Sequence, residues 1–298
     1  VMIINDTQVQ TLIEALPYLR DFKDKTIVVK YGGNAMLNDQ IKNKVLQDVV
    51  FLQCAGMRPV VVHGGGPEIT AMLMQAGKKS EFVSGLRVTD AESVGIAEMA
   101  LVGKINTDLV ARLNTLGGRA VGLNGKDANL VQAKKHLADV YENGEVNLVD
   151  IGYVGNVEHV NTDLIEVLLA NGFIPVIAPT GVGSSGETYN INADSVAGEI
   201  AGALKAEKLL VLTDVRGIYS DYRDENSFIS TLTFEKAQEL IIRGKIDGGM
   251  IPKVRACITA LSGGAKKTHI IDGRAEHTIL MEIFSDKGVG TEVVKELR

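Results

Sequence analysis

Residues 58–67 read RPVVVHGGGP, and a related stretch, TIVVKYGGN, occupies residues 26–34. In each stretch a run of apolar, largely β-branched residues is typical of a buried strand, and the glycines that follow indicate a tight loop. Pro67 stands where the first turn of a helix is expected. Both stretches therefore predict strands of a parallel sheet, each followed by a loop and a helix.

Strands and helices alternate along most of the chain. Further strands are predicted at 118–123, 173–177, 207–213 and 266–272. Apolar residues at helical spacing predict helices at 38–54, 67–75, 90–101, 106–116, 162–170, 194–204, 233–242 and 249–262. Short β-like runs and polar breaks at 128–158 indicate hairpins. This alternation predicts an α/β fold whose mainly parallel sheet is covered by helices on both faces.

The N-terminal segment predicts a helix that precedes the first strand. Asp6 or Thr7 is a candidate cap. Pro17 removes a backbone donor inside the helix and predicts a kink. Apolar residues at helical spacing form one stripe: Val9, Leu12, Ile13, Leu16 and Leu19. That stripe packs either on the chain's own core or on another subunit.

The composition narrows the class of protein. Of the 298 residues, 45% are hydrophobic and 23% are charged, and the net charge is −6. Nucleic-acid and membrane-surface sites need clustered Lys and Arg, so neither partner is expected. No apolar run is long enough for a transmembrane helix. The two cysteines, Cys54 and Cys257, make no disulfide framework, which predicts an intracellular chain.

Residues 181–186 read GVGSSG and match the dinucleotide-binding pattern G-x-G-x-x-G. In that motif the last glycine opens a helix whose N-terminus binds the pyrophosphate. Here the next residues, ETYNIN, are poor helix formers, and helical character resumes only near Asp194. A hairpin turn, in which Gly183 and Gly186 supply positive φ, therefore fits better than a dinucleotide site.

The loops KYGG (30–33) and HGGGP (63–67) give a more specific prediction. Consecutive glycines let backbone N–H groups converge on an anion, and a helix N-terminus adds a favourable dipole. Because both loops follow parallel strands, they should meet at one cleft. The P-loop pattern G-x-x-x-x-G-K-[ST] is absent. We therefore expect a phosphate or carboxylate site of another kind, with simple strand–helix turns as the alternative.

Six segments, in this order, resemble the amino acid kinase family: VVKYGGNAM, VVVHGGGPEI, GLRVTD, YNINAD, LLVLTDVRGIY and GGMIPKV. The resemblance covers almost the whole chain, and three of the segments favour the branch that phosphorylates N-acetyl-L-glutamate in arginine biosynthesis. It implies a three-layer αβα sandwich. It also implies an oligomerisation helix at 1–22, an acetylglutamate-binding lobe at 23–180 and an ATP-binding lobe at 181–298. The resemblance implies that the protein is located in the cytoplasm, or in the plastid stroma if it comes from a plant or alga.

The implied reaction transfers a phosphoryl group from ATP to the side-chain carboxylate, giving N-acetyl-L-glutamyl 5-phosphate. By the resemblance, Lys30 and Lys253 flank that group and Asp194 orients both lysines. The residues that match ATP contacts are Gly32, Gly33, Thr213, Asp214, Gly217 and Ile218. Those that match acceptor contacts are Gly65, Gly66, Arg87, Asn190 and Asn192. Mg²⁺ is expected on the phosphates, with no all-protein metal site.

The chemistry agrees with these residue types. A carboxylate with a pKa of about 4 is already ionised, so positioning and charge neutralisation are needed rather than a general base. A guanidinium such as that of Arg87 suits a carboxylate. The alternative to a catalytic role is a structural one: each lysine could be an ordinary surface charge, and Asp194 could cap a helix.

The resemblance extends to regulation. Family members with a kinked N-terminal helix form hexamers, as trimers of dimers, and are inhibited by arginine. The Pro17 helix and the segment MEIFSDKGVGT (281–291) are similar to that branch. By this match His269, Glu282 and Gly288 would hold arginine, with ordinary packing as the alternative. Cyanobacterial and plastid members bind a PII signalling protein, a partner that no motif in this chain identifies.

Two other classes of function stay open at this point. A dinucleotide-dependent oxidoreductase would bind NAD(P)H or a flavin and would form no product from ATP. A regulatory protein would bind arginine or a nitrogen-signalling partner without turnover. The presence of Lys30, Lys253, Asp194 and Arg87 argues against lost catalysis.

Overall fold

The computed structural model describes residues 5–36, 38–142, 145–221, 223–246, 248–286 and 288–296. The helices are α1 (Asp6–Phe22), α2 (Asp39–Cys54), α3 (Gly66–Gln75), α4 (Ala91–Glu98), α5 (Thr107–Thr115), α6 (Asp163–Ala170), α7 (Ala193–Ala203), α8 (Phe234–Ile242), α9 (Met250–Gly263) and α10 (Thr278–Ile283). The strands are β1 (Thr26–Tyr31), β2 (Arg58–His63), β3 (Phe82–Val83), β4 (Leu86–Arg87), β5 (Ala120–Asn124), β6 (Val131–Glu142), β7 (Glu145–Val160), β8 (Ile174–Ala178), β9 (Thr180–Val182), β10 (Thr188–Asn190), β11 (Lys208–Thr213), β12 (Ile218–Tyr219), β13 (Phe228–Ile229), β14 (Thr231–Thr233), β15 (Lys267–Asp272) and β16 (Thr291–Val294).

An eight-stranded sheet has the order β14-β16-β15-β11-β1-β2-β8-β5. Every neighbouring pair in it is parallel except β15 and β16. Four consecutive strands of this sheet, β11, β1, β2 and β8, are buried along nearly their whole length. Because both faces are covered, these strands have continuous apolar runs rather than alternating ones, which is why the sequence identifies them.

Helices lie on both faces of this sheet. Val28 and Val60 face a core that α6, α7, α8 and α9 complete. Ile27 and Val29 face a second core, formed with α2, α3, α4, α5 and α10. The predicted αβα sandwich around a mainly parallel sheet is confirmed.

The hairpins predicted at 128–158 are present as one long antiparallel pair, β6 and β7. Together with β9 and β10 they form a closed ring of four strands beside the main sheet. The GVGSSG turn joins β9 to β10, and the Gly186 N–H donates to the Gly183 carbonyl at 3.0 Å. No helix begins at Gly186, since α7 starts only at Ala193, so the dinucleotide motif is contradicted.

The turn also corrects one prediction. Gly186 has a φ of +86°, as expected, but Gly183 does not lie in the left-handed region. A Cβ at Gly183 would instead lie 2.3 Å from the carboxyl carbon of Glu187. The requirement at Gly183 is therefore space for a neighbouring side chain.

The predicted helices at 90–101 and 106–116 are not separate. A π-helix, Met99–Asn106, joins α4 to α5 without a break. The sequence between them contains no proline, so nothing forces the helix to end. The wider turns bring Leu101, Ile105 and Asn106 to the buried side of the helix.

The N-terminal helix α1 is capped by Asn5, not by Asp6 or Thr7. The Asn5 side chain accepts from the Gln8 N–H at 2.9 Å, and the Gln8 side chain accepts from the Asn5 N–H at 3.0 Å. The helix continues past Pro17, and a kink there stays a prediction. No residue of α1 is buried, and the apolar side chain of Leu12 is 63% exposed. Within the described ranges, no helix has the length and apolar character needed to cross a membrane.

Candidate active site

The two glycine loops lie against each other at the carboxyl edge of the sheet. Strands β1 and β2 are parallel neighbours, so the loops that follow them leave the sheet side by side. A Cβ at Gly32 would lie 3.2 Å from the Gly64 Cα. The Gly64 N–H donates to the Tyr31 carbonyl at 2.7 Å. The backbones approach this closely because glycine stands in both loops.

A carboxylate joins two lysines beside these loops. The Lys30 Nζ lies 2.8 Å from one oxygen of Asp194, and the Lys253 Nζ lies 3.5 Å from the other. Lys30 and Asp194 are both buried, each with 5% exposure. Lys30 is near the end of β1, Asp194 is in the first turn of α7, and Lys253 is in the first turn of α9. The structure thus brings together the three residues that the resemblance implies for catalysis.

The charges in this cluster favour an anion. Burial opposes ionisation of Asp194, but the two lysines outweigh it and hold the pKa of the carboxyl below its usual range. Asp194 is therefore ionised at neutral pH. With two ammonium groups and one carboxylate, the cluster has an excess of one positive charge, and the N-termini of α7 and α9 add to it.

The helix cap at α7 is Asn192 rather than Asp194. The Asn192 Oδ1 accepts from the Asp194 N–H at 2.8 Å and from the Ser195 N–H at 3.2 Å. The strand β10 ends at Asn190, so Asn192 lies beyond it, at the start of the helix. Asn190 and Asn192 nevertheless border the same cavity.

A cavity of about 460 Å³ lies on one side of the cluster. All the residues that match ATP contacts line it, as does Lys253: Gly32, Gly33, Thr213, Asp214, Gly217 and Ile218. Gly217 is packed closely, because a Cβ there would lie 2.5 Å from the Thr291 Oγ1. The same Thr291 hydroxyl oxygen accepts from the Ile218 N–H at 2.8 Å, which fixes this part of the wall.

A second cavity, of about 250 Å³, lies on the other side. It is lined by Asp194 and by all the residues that match acceptor contacts: Gly65, Gly66, Arg87, Asn190 and Asn192. Lys30 and Gly33 border both cavities. The lysine–carboxylate cluster therefore stands where the two cavities meet.

Arg87 is held in place before any ligand binds. One of its terminal nitrogens donates to the Gly66 carbonyl and to the Thr70 hydroxyl, each at 2.9 Å, and the other donates to the Ser80 hydroxyl. The guanidinium also lies 4.7 Å from the centre of the Phe82 ring. Burial lowers the pKa of Arg87, but it stays cationic. It offers a fixed positive charge at the second cavity.

Several residues that line the cavities are not among those predicted from the sequence. Lys245 and Met250 border the larger cavity. Met250 lies within GGMIPKV, so that motif could have identified it, whereas Lys245 lies three residues before the motif. Phe82, Leu101 and Val154 border the smaller cavity. These come from separate elements far apart in sequence, and no local pattern marks them.

The residues matched to an arginine site also lie together, away from the two cavities. The His269 Nδ1 is 2.9 Å from the Glu282 Oε1, and a Cβ at Gly288 would lie 2.8 Å from the Glu282 Oε2. Lys208, which sequence analysis missed, has its Nζ 3.4 Å from the Glu282 Oε1. Burial opposes ionisation of Glu282, but His269, the Val289 N–H and Lys208 set its pKa to about 2. Glu282 is thus a buried, ionised carboxylate.

The model of the amino acid kinase family matches residues 25–272. A protein named acetylglutamate kinase from Moorella thermoacetica is 59% identical over 283 residues, covering 95% of this chain and 96% of that protein.

Solved structures resemble the fold over its whole length. N-acetylglutamate synthase from Neisseria gonorrhoeae, complexed with coenzyme A and N-acetyl-glutamate, is 27% identical with a TM-score of 0.81. The match covers 98% of this chain, which spans 65% of the length of that chain. The same synthase complexed with coenzyme A and L-arginine is 26% identical, with a TM-score of 0.79 over 98% of this chain and 66% of that chain. The chain belongs to the amino acid kinase family, in its acetylglutamate kinase group.

Proposed function

We propose that this protein transfers the γ-phosphoryl group of MgATP to the side-chain carboxylate of N-acetyl-L-glutamate, in the second step of arginine biosynthesis. The products are ADP and N-acetyl-L-glutamyl 5-phosphate. The observation that carries the proposal is the cluster of Lys30, Asp194 and Lys253 at the junction of two cavities. The relatives that are named acetylglutamate kinase support the choice of acceptor.

The reaction needs positioned charge rather than a base. An oxygen of the ionised acceptor carboxylate attacks the γ-phosphorus and forms the new O–P bond. The bond from the γ-phosphorus to the β–γ bridging oxygen breaks, and its electron pair stays on ADP. Lys30 borders both cavities, so its ammonium group neutralises charge on the acceptor side, and Lys253 does so on the nucleotide side.

Asp194 serves this chemistry by holding the two ammonium groups. Without a carboxylate between them the two lysines would repel each other and point apart. With it, both donate toward the moving phosphoryl group while the cluster keeps its excess positive charge. Helix N-termini at Gly66, Ala193 and Met250 add favourable dipoles to the same space.

The smaller cavity supports an acceptor with two carboxylates. Arg87 binds the α-carboxylate, because its guanidinium is fixed by Gly66 and Thr70. The backbone of Gly65 and Gly66 receives the reacting carboxylate. Asn190 hydrogen-bonds the acetamido group, with apolar contact from Leu101.

The test measures ADP release with MgATP and one acceptor at a time. The acceptors are N-acetylglutamate, glutamate, aspartate, UMP and carbamate, and hydroxylamine traps any acyl phosphate as a hydroxamate. We expect ADP and hydroxamate in equal amounts with N-acetylglutamate and far slower turnover with the others. A preference for any other acceptor would overturn the proposal, as would ADP release without hydroxamate.

We further propose that arginine inhibits the enzyme by binding at Glu282, whose buried carboxylate suits a guanidinium. Arginine would take the place of Lys208 as the partner of Glu282, beside His269. The arginine complex of the similar synthase supports this choice of ligand. We expect Glu282→Gln to keep turnover and lose inhibition. Glu239→Gln, which removes a carboxylate paired with Lys236 on α8, is the control and should stay inhibited.

The exposed stripe of α1 supports a hexamer built as a trimer of dimers. Val9, Leu12, Ile13 and Leu16 are 48–63% exposed in the single chain. Apolar side chains at this spacing bury well against a second helix of the same kind. We propose that α1 joins dimers and that arginine acts through it, because the Phe22 ring lies 5.6 Å from the Lys208 Nζ.

A further inference from the structure

A buried polar pair lies directly beneath the HGGGP loop. His63, the last residue of β2, has no exposed surface, and Asn106, the last residue of the π-helix, is 4% exposed. The Asn106 Nδ2 lies 3.1 Å from the His63 Nε2. The His63 Nδ1 lies 2.9 Å from the Gly64 carbonyl oxygen. Neither residue is among those that line the two cavities.

Backbone carbonyls fix the orientation of the Asn106 amide. Its Nδ2 donates to the Val176 carbonyl at 2.8 Å and lies 3.5 Å from the Leu123 carbonyl. If the amide were turned around, its Oδ1 would face those two acceptors. The NH₂ group must therefore point this way, and its other hydrogen faces the His63 Nε2. That ring nitrogen accepts, so it carries no proton.

The proton of His63 is consequently on Nδ1. Burial lowers the pKa of His63 to about 4, so the ring is neutral at neutral pH and keeps this tautomer. The Nδ1–H then donates to the Gly64 carbonyl. The peptide between Gly64 and Gly65 is trans, which sets its C=O and N–H on opposite sides. With the carbonyl held against the ring, the Gly65 N–H turns to the acceptor cavity that Gly65 lines.

The π-helix is wedged between this loop and β5. A Cβ at Gly65 would lie 2.5 Å from the Ile105 Cδ1 and 2.7 Å from the Leu101 Cδ2. On the other side, a Cβ at Gly122 of β5 would lie 2.1 Å from the Asn106 Oδ1. π-helical turns are rare and occur often at functional sites. Here the wide turns pack against the loop at Gly65 and place Asn106 within hydrogen-bonding distance of His63.

We propose that His63 and Asn106 are positioning residues for phosphoryl transfer. Together they hold the Gly64–Gly65 peptide so that its N–H faces the reacting carboxylate of the acceptor. The inference rests on the function proposed above, and it assigns a task to two residues that touch neither substrate.

The first test compares His63→Asn with His63→Gln. An asparagine places its NH₂ near the position of the His63 Nδ1 and can still donate to the Gly64 carbonyl, whereas a glutamine reaches the Nε2 position and loses that bond. We expect His63→Gln to lower kcat/KM for N-acetylglutamate roughly 30- to 100-fold, somewhat less than the loss of a whole oxyanion donor. His63→Asn should stay within about fivefold of the unchanged protein, with the KM for MgATP altered less than about twofold in both. Equal losses in the two variants, or a parallel rise in the KM for MgATP, would overturn the proposal.

A second measurement does not depend on turnover. Nitrogen-15 NMR of the imidazole in the unmodified protein reports which ring nitrogen of His63 is protonated. We expect a protonated Nδ1 and an unprotonated Nε2. Asn106→Asp replaces the donor with an acceptor and should move the proton to Nε2. A protonated Nε2 in the unmodified protein would refute the inference, even if that variant fails to fold.

The two proposals fail in different ways. If the unmodified protein does not phosphorylate N-acetylglutamate, the proposed function is wrong, and the tautomer measurement still tests how the loop is held. If it does phosphorylate N-acetylglutamate but His63→Gln acts as fast as His63→Asn, only the positioning role is wrong.

Discussion

Asp194→Asn removes the charge that joins the two lysines while keeping the shape of the side chain. With an effective dielectric constant of about 20, the pair at 2.8 Å contributes about 6 kcal/mol of attraction and the pair at 3.5 Å about 5 kcal/mol. Desolvation of the buried groups offsets much of this. The net penalty of leaving Lys30 buried without its counter-charge is roughly 3–5 kcal/mol in the free energy of unfolding. This is a large part of the stability of a typical domain, which is about 5–15 kcal/mol.

The assay is urea unfolding with and without a magnesium complex of a non-hydrolysable ATP analogue. The phosphates of the analogue supply negative charge to Lys30 and Lys253, so the nucleotide should stabilise Asp194→Asn more than it stabilises the unmodified protein. In the hydroxamate assay we expect kcat to fall about 10²- to 10³-fold, the usual effect of removing one electrostatic group from a reaction centre.

Lys253→Met is the matched control, because it removes one ammonium group and leaves Asp194 paired with Lys30. We expect a similar fall in kcat but a smaller change in the free energy of unfolding than in Asp194→Asn, because Asp194 keeps its shorter ion pair with Lys30 and no buried charge is left unpaired. If Asp194→Asn unfolds at the same urea concentration as the unmodified protein, the reasoning about buried charge is refuted. If Lys253→Met keeps its kcat, the cluster is not the site of transfer.

Three further predictions concern other parts of the molecule. The pKa of about 4 for folded His63 lies below the unfolded value of about 6.5, so the unfolded chain binds the proton first and stability is full above pH 6.5 and falls as the pH drops toward 4. Between pH 7 and pH 5 the free energy of unfolding, measured in urea, should fall by about 2 kcal/mol. His63→Asn should not show this fall. Gly122→Ala should push Asn106 aside, lower the free energy of unfolding by about 1–3 kcal/mol and lower kcat/KM for N-acetylglutamate about tenfold, whereas Gly95→Ala, where a Cβ meets nothing within 4 Å, should leave both nearly unchanged. Removal of residues 1–22 should leave an active dimer without arginine inhibition, and an intact hexamer in sedimentation velocity would contradict the role given to α1.

The sequence predicts the sheet well because its central strands are buried on both faces. Such strands have continuous apolar runs, so β1 and β2 can be identified from the sequence without knowing which strands they pair with. The glycine loops are predictable for the same reason, since each follows directly after such a run. The cleft at which they meet then follows from the parallel order of the strands.

Other features depend on contacts between residues far apart in the sequence, so local sequence patterns do not predict them. The π-helix packs Leu101 and Ile105 beneath Gly65, and no helical period in the sequence reveals this contact. Asn192 precedes Asp194 by two residues, and both types cap helices, so only the backbone decides between them. The same holds for Gly183, where the space is taken by the carboxylate of Glu187.

The position of the lysine pair follows from how this fold distributes charge. Strands β1 and β2 are parallel, so the loops that follow them leave the sheet at one edge. The N-termini of α3, α7 and α9 border the two cavities there. Backbone N–H groups and dipoles therefore already favour phosphate and carboxylate at this edge. Because these backbone groups are fixed in position, they bind an anion but cannot shift when negative charge passes from one molecule to another. On the proposed function, Lys30, which borders both cavities, would contact the phosphoryl group before and after transfer. Loss of its charge should therefore affect kcat more than either KM.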